Sequence, residues 1–153
     1  KSVCNKFNYY FIIEFEGKKV GLINAKNFSY ENGFGEGGIF IWDDDYINSF
    51  AAVFSTLCVL NFVFFKLKLC KLSRARILKD NDRALHYNQL IGYKLLSGQE
   101  NVNNQLYQLT LNDYIKNATR LNKAAEILNN GNGEITFSGT KSDQNLDEIN
   151  NIL

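Results

Sequence analysis

The chain has 153 residues, of which 45% are hydrophobic and 22% charged. These are the values of one globular domain with room for a core, and they exclude wholesale disorder. Seventeen basic against sixteen acidic residues leave a net charge of +1, which excludes the strong positive field that draws a protein to nucleic acid or to a membrane surface.

The first predicted element is a strand over "YYFIIEFEG" (Tyr9 to Gly17), rich in β-formers and closed by Glu-Gly-Lys-Lys, a hairpin signal. "KVGLINAKNFSY" (Lys19 to Tyr30) is the return strand. A glycine-rich break, "ENGFGEGG", then precedes "IFIW" (Ile39 to Trp42), a short third strand that completes an antiparallel meander. "YINSFAAVFSTLCVLNFVFFKLKL" (Tyr46 to Leu69) is the most apolar stretch. Its length raises a membrane span as an alternative, but Asn48, Ser49, Ser55, Thr56 and Asn61 interrupt it, and the reading preferred is a core helix laid across a sheet. "CKLSRARIL" (Cys70 to Leu78) alternates as a strand, with Ser73, Ala75 and Ile77 on one face and Leu72, Arg74, Arg76 and Leu78 on the other.

"NDRALHYNQLIG" follows as a helix of about three turns with Gly92 as its C-cap. "YKLLSG" and "NQLYQLTL" supply two more strands. The order strand, strand, strand, long helix, strand, short helix, strand, strand predicts an α/β domain of α+β type: a mixed, mainly antiparallel central sheet with flanking helices. "LNDYIKNATRLNKAAEILNN" (Leu111 to Asn130) carries Ile115, Ala118, Leu121, Ala124, Ala125 and Leu128 at helical spacing, so that face is expected to dock on the domain. A turn and strand in "NGNGEITFSG" and a terminal helix in "SDQNLDEINNIL", with Asp143 as N-cap, close the list of elements. Residues 1–112 are assigned to the domain and 113–153 to a helical extension packed on it.

Asn81, Ala84, Tyr87, Gly92 and Tyr93 fall as N-x-x-A-x-x-Y-x-x-x-x-G-F/Y on a helix that follows a strand, a long apolar helix and a meander. This arrangement resembles the GNAT superfamily of acyl-CoA-dependent N-acetyltransferases over residues 9 to 112. The resemblance implies acetyl-CoA as co-substrate, with its pantetheine arm between two splayed strands and paired with the backbone of Ile39, Phe40 and Ile41. It also implies that Tyr87 donates a proton to the departing thiolate and that Asn81 hydrogen-bonds the arm; as plain structure these two are a sheet-edge aromatic and an N-cap. The family's phosphate loop, Q/R-x-x-G-x-G/A, maps onto Tyr46 to Ala51, so Asn48, Ser49, Phe50 and Ala51 are the expected phosphate contacts. Ala51 conforms, whereas Tyr46 and Ser49 depart from the pattern. "DDD" (Asp43 to Asp45) caps the helix or repels a pyrophosphate. Glu36 is the candidate general base, ahead of Glu14 and Glu16, and no metal site is expected. His86, about 100° round the helix from Tyr87, is expected to face solvent or to pack, and Arg74 with Arg76 is able to grip a phosphate.

The expected function is transfer of an acetyl group to a primary amine of a small molecule, an amino sugar being preferred on a general likeness to bacterial acetyltransferases. The alternative is a non-catalytic GNAT-like binding or structural module with an eroded phosphate loop. Nucleic acid and membrane are not expected as partners, and a homodimer is left open. Cys4, Cys58 and Cys70, an odd count without paired spacing, read as reduced thiols of a cytoplasmic protein. The family's opening strand and two helices have no counterpart before the meander. With neither methionine nor proline in the chain and Lys1 at its start, the sequence is expected to be an incomplete domain.

Overall fold

In the computed structural model, which describes residues 8–66, 68 and 70–128, Tyr9–Phe15 (β1) and Lys18–Ser29 (β2) form a hairpin. Its loop, Glu16 and Gly17, has positive φ at both positions, 51° and 77°. That is the primed turn whose twist suits paired strands, and glycine at the second position relieves its strain. Phe34–Ile41 (β3) completes the meander.

The third strand starts at Phe34 rather than at Ile39, so the glycine-rich break is confined to the turn Glu31 to Gly33 and the rest of that segment is strand. Packing explains it. A Cβ at Gly35 would lie 2.6 Å from Cε1 of Phe28, so glycine is what lets β3 pass beneath that ring. Trp42 lies outside the strand, its indole N–H donating to the Lys19 carbonyl at 2.9 Å.

The predicted helix from Tyr46 to Leu69 is divided. A 3₁₀ turn, Asp44–Tyr46, is capped by the Asp43 carboxylate. Helix α1 then spans Phe50–Asn61 and passes into a π turn, Phe62–Lys66. The start moves to Phe50 because Ser49, in extended conformation, accepts from the Ala51 N–H and is the better N-cap. Among the described residues, no helix is long and apolar enough to cross a membrane.

Leu72–Leu78 (β4) lies parallel to β3, and Asp82–Ile91 (α2) follows. Asn81 caps α2 at one end, and Gly92 at φ 113° closes the other. Lys94–Leu95 (β5) and Asn104–Thr110 (β6) complete a sheet of order β1-β2-β3-β4-β6-β5. Leu111–Leu128 (α3) starts where β6 ends. Its buried face is Tyr114, fully buried, with Ala118 and the partly buried Leu121, whereas Ile115 and Ala124 are exposed. The helix is turned about its axis from the expected face because the Tyr114 phenol reaches α1, donating to Asn61 Oδ1 at 2.7 Å with the Leu57 carbonyl at 3.2 Å. Ala125 and Leu128 fall outside the described side chains, and Cys4 and the elements predicted beyond Leu128 lie outside the described residues.

Ile23, Ala25, Ala75 and Ile77 pack with Leu57, Val59 and Leu60 of α1 in one core. The opposite face of the sheet leaves Ile12, Phe40 and Leu78 exposed. Cys58 and Cys70 are both buried and unbridged, and burial pushes their thiols up to about 12 and about 11. Burial likewise raises Tyr93 to about 12.

The sign of the pH dependence follows. Thiols ionise near 9.0 and phenols near 10.0 when unshifted, so the unfolded chain loses these protons first, and stability falls wherever the unfolded state binds fewer protons. The urea midpoint is expected to be unaffected by these groups below about pH 9 and to drop progressively above it. Cys58→Ala with Cys70→Ala should flatten the first part of that fall.

Candidate active site

Strands β3 and β4 pair only over Phe34–Glu36 with Leu72–Arg74. Beyond that point β3 continues along β2 to Ile41, and β4 along β6 to Leu78, so two neighbouring strands separate. A cleft of about 810 Å³ opens between them, walled by β3 from Gly37 to Ile41, by Ala75 to Leu78, and by Thr56 and Val59 of α1. Among the described residues, no strand pairs with the β4-side edge of β3 beyond Glu36. Main-chain N–H and C=O groups on such an edge call for a partner, which an extended ligand carrying amides can provide.

Tyr87 reaches into the cleft from α2. Its hydroxyl lies 2.8 Å from the Ala52 carbonyl and 2.5 Å from Thr56 Oγ1. The phenol has one proton, so it donates to one of these oxygens while the Thr56 hydroxyl is able to donate back. Burial raises its pKa far above the ordinary phenol range, against the opposing effect of the Thr56 hydrogen bond. The group is therefore a neutral O–H donor at any working pH. Deeper in the cleft, Tyr93 and Ser73 share a hydrogen bond of 2.7 Å beside Gly37.

Across the splay, Glu36 has both oxygens engaged: Oε2 accepts from Asn27 Nδ2 at 3.1 Å, and Oε1 lies 3.6 Å from Arg76 Nε. Two residues along on the same face, Asn24 stands opposite Gly38. Its Oδ1 is buried with no hydrogen-bond partner, and both Asn24 and Gly38 line the cleft.

The start of α1 is partly closed by its own cap. Ser49 Oγ donates to the Tyr46 carbonyl at 2.7 Å and accepts from the Ala51 N–H at 3.2 Å. Asp43 accepts from the Asp45 N–H, and Asp44 and Asp45 are exposed.

No protein-family model matches the sequence, and no curated protein matches it. Solved structures do match. A point mutant of spermidine N-acetyltransferase SpeG from Vibrio cholerae superposes with TM-score 0.61 at 17% identity, over 74% of this chain and 72% of that one. FdhC, described as a nucleotide-linked sugar GNAT, gives TM-score 0.65 at 20% identity over 76% of this chain and 65% of that one. The Campylobacter jejuni N-acetyltransferase PseH gives 0.57 at 17% over 70% of each. The chain has the GNAT fold.

Within the GNAT fold, the residues singled out from sequence divide into two groups. Ile39, Phe40, Ile41, Glu36, Asn81 and Tyr87 all line the cleft. Asn81 is at the same time the N-cap of α2, its Oδ1 accepting from the Ala84 N–H at 3.0 Å. Asn48, Ser49, Phe50 and Ala51 do not line it; Ile47 and Ala52 do, on either side of them. Ala51 is buried, while Asn48 and Phe50 face solvent. Tyr46, at the position of the motif's Gln or Arg, packs edge-on against Phe15 at 5.7 Å. His86 is exposed, the first of its two expected placements. Sequence reasoning missed Asn24, Thr56 and the Ser73–Tyr93 pair. The one signal for Asn24 was an amide in the middle of the apolar run "VGLINA".

Proposed function

We propose that this chain is an acyltransferase that moves an acetyl group from acetyl-CoA to a primary amine of a small molecule by direct attack. The observation that carries the reading is the unpaired edge of β3 facing a cleft into which a partly buried, neutral tyrosine projects. Acetyl-CoA when bound supplies an activated thioester. The backbone of Ile39, Phe40 and Ile41 holds its amide-bearing arm, and an N–H on that edge polarises the thioester carbonyl. Glu36, reached through water, takes the proton that the attacking amine sheds. Tyr87 gives its proton to the sulfur as the carbon–sulfur bond breaks, and Asn81 steadies the arm. Cys58 and Cys70, buried with raised pKa values, are unsuited to carry the acyl group on the protein. An amino sugar is the acceptor we favour, and residues 113–153 form an extension of the same domain.

The phosphate end of the cleft is the least developed part. Ser49 already occupies the Ala51 N–H, and three aspartates precede it. These two features favour a second reading, a non-catalytic module of the same fold, over any other alternative.

Release of free thiol from acetyl-CoA in the presence of a panel of amines separates the readings, since a non-catalytic module releases none. A substitution locates the site. A Cβ at Gly37 meets nothing closer than 3.8 Å, so Gly37→Leu is tolerated by the backbone and projects its side chain into the cleft. We expect acetyl-CoA affinity to fall roughly tenfold or more, about 1.4 kcal/mol, with the thermal midpoint nearly unchanged. Unaltered affinity would place the ligand elsewhere.

A further inference from the structure

Among the described residues, the face of the sheet that leaves Phe40 and Leu78 exposed has no element over it, and beside the splay it is chemically organised. Lys26, Glu36 and Arg74 form one cross-strand row over β2, β3 and β4. In the next row Asn24 faces Gly38, and a Cβ at Gly38 would lie 3.4 Å from both amide atoms of Asn24. With no side chain at Gly38, nothing of β3 but its backbone lies over that carboxamide, and both residues line the cleft. The buried Asn24 Oδ1 has no partner, a state that costs stability unless a ligand donates to it.

Arg74 lies over the Phe34 ring, 3.9 Å from its centroid, and its Nε is buried and unpartnered. Arg76, half exposed, is 3.6 Å from Glu36, too far for a tight hydrogen bond. Three cations therefore neighbour the Glu36 carboxylate, two by register and Arg76 by contact; of the three, Arg76 lines the cleft, and so do Asp80 and Asp82 at the start of α2.

Resting on the acetyltransferase reading, we propose that this face is the acceptor site: Asn24 Oδ1 receives the acceptor's ammonium, and Arg76, with Arg74 on the same strand face behind it, holds an anionic group of the same molecule. The acceptor is then an amine that also carries a phosphate or carboxylate, not a polycation. A polyamine lying in the same direction would set its second ammonium against Arg76. An amine with an anionic group one sugar-length away meets a carboxamide oxygen at one end and a guanidinium at the other.

Calorimetry tests this on the full chain, alone and saturated with CoA, using five probes: glucosamine, glucosamine 6-phosphate, glucosaminic acid, N-acetylglucosamine 6-phosphate and spermidine. At least one of the two amines bearing an anionic group is expected to bind about tenfold or more tightly than the remaining three, and which of them does so tells phosphate from carboxylate. Asn24→Leu is expected to weaken that probe about tenfold or more, as for loss of a hydrogen bond to a charged group, without lowering the thermal midpoint, because an unpartnered buried polar atom is removed. Asn24→Ser serves if the leucine variant does not fold. Arg76→Gln should abolish the advantage of the anionic group. Preference for spermidine or plain glucosamine, binding of none of the probes, or indifference to the Asn24 and Arg76 substitutions would overturn the assignment. The CoA titration, read separately, bears on the acetyltransferase reading itself.

Discussion

Tyr87→Phe is expected to lower kcat by about 10²- to 10⁴-fold, the usual contribution of a proton-transfer group, while acetyl-CoA affinity is largely retained. The substitution also deletes the contacts to the Ala52 carbonyl and Thr56 Oγ1 that tie α2 to α1. A typical hydrogen bond contributes about 1 kcal/mol net, which in a domain of this size lowers the thermal midpoint by only a few degrees. The two roles of the phenol are therefore separable by magnitude, since a small loss of stability leaves nearly every molecule folded at assay temperature. Measuring turnover and midpoint on one preparation decides between them. If chemistry limits the rate and kcat stays within a factor of two or so, the hydroxyl is structural and the proton comes from elsewhere.

Tyr114→Ala carries the largest expected stability effect. The side chain is fully buried, stacks at a tilt with Phe64 at 5.4 Å and Phe65 at 6.3 Å, and anchors α3 to Asn61 and Leu57. Removing a buried aromatic ring costs about 3–5 kcal/mol, a large share of the roughly 5–15 kcal/mol that holds a domain folded. Unfolding is expected to remain a single transition shifted to much lower denaturant, because the ring sits in the core shared by α1 and α3. Tyr114→Phe should lose only about 1 kcal/mol, the part owed to the hydroxyl. If far-UV and near-UV signals instead separate, with the near-UV midpoint unmoved, α3 is an independent appendage.

Much of this fold was legible in the sequence because local chemistry and tertiary packing agree. The Glu16-Gly17 turn, the Asn81 cap and the Gly92 stop each place a residue where backbone geometry demands it. The alternation of β4 put Ser73, Ala75 and Ile77 on one face, and that face is the buried one. Errors arose where a distant partner decides. The glycines before Ile39 read as a break because the Phe28 ring that needs the space lies on another strand. The docking face of α3 was set by one phenol reaching α1, which no helical period reveals. The helix after Asp45 looked continuous because apolar content hides the serine that caps it.

For the site, the motif found the cleft-lining residues on α2. It was blind to features written in backbone pairing, above all the point at which β3 leaves β4. Nor does a sequence show that an amide such as Asn24 ends without a partner.

The central claim is that the gap between β3 and β4 holds the pantetheine arm of acetyl-CoA. Nuclear magnetic resonance on the nitrogen-15-labelled full chain, titrated with CoA, tests it most directly. The account predicts saturable shifts of the backbone amides from Gly38 to Ile41 and from Ala75 to Leu78, with smaller ones around Asn81 and Tyr87, and Gly37→Leu should suppress them. Amides on that edge that stay unmoved at millimolar CoA, or shifts confined to another face of the sheet, would contradict it.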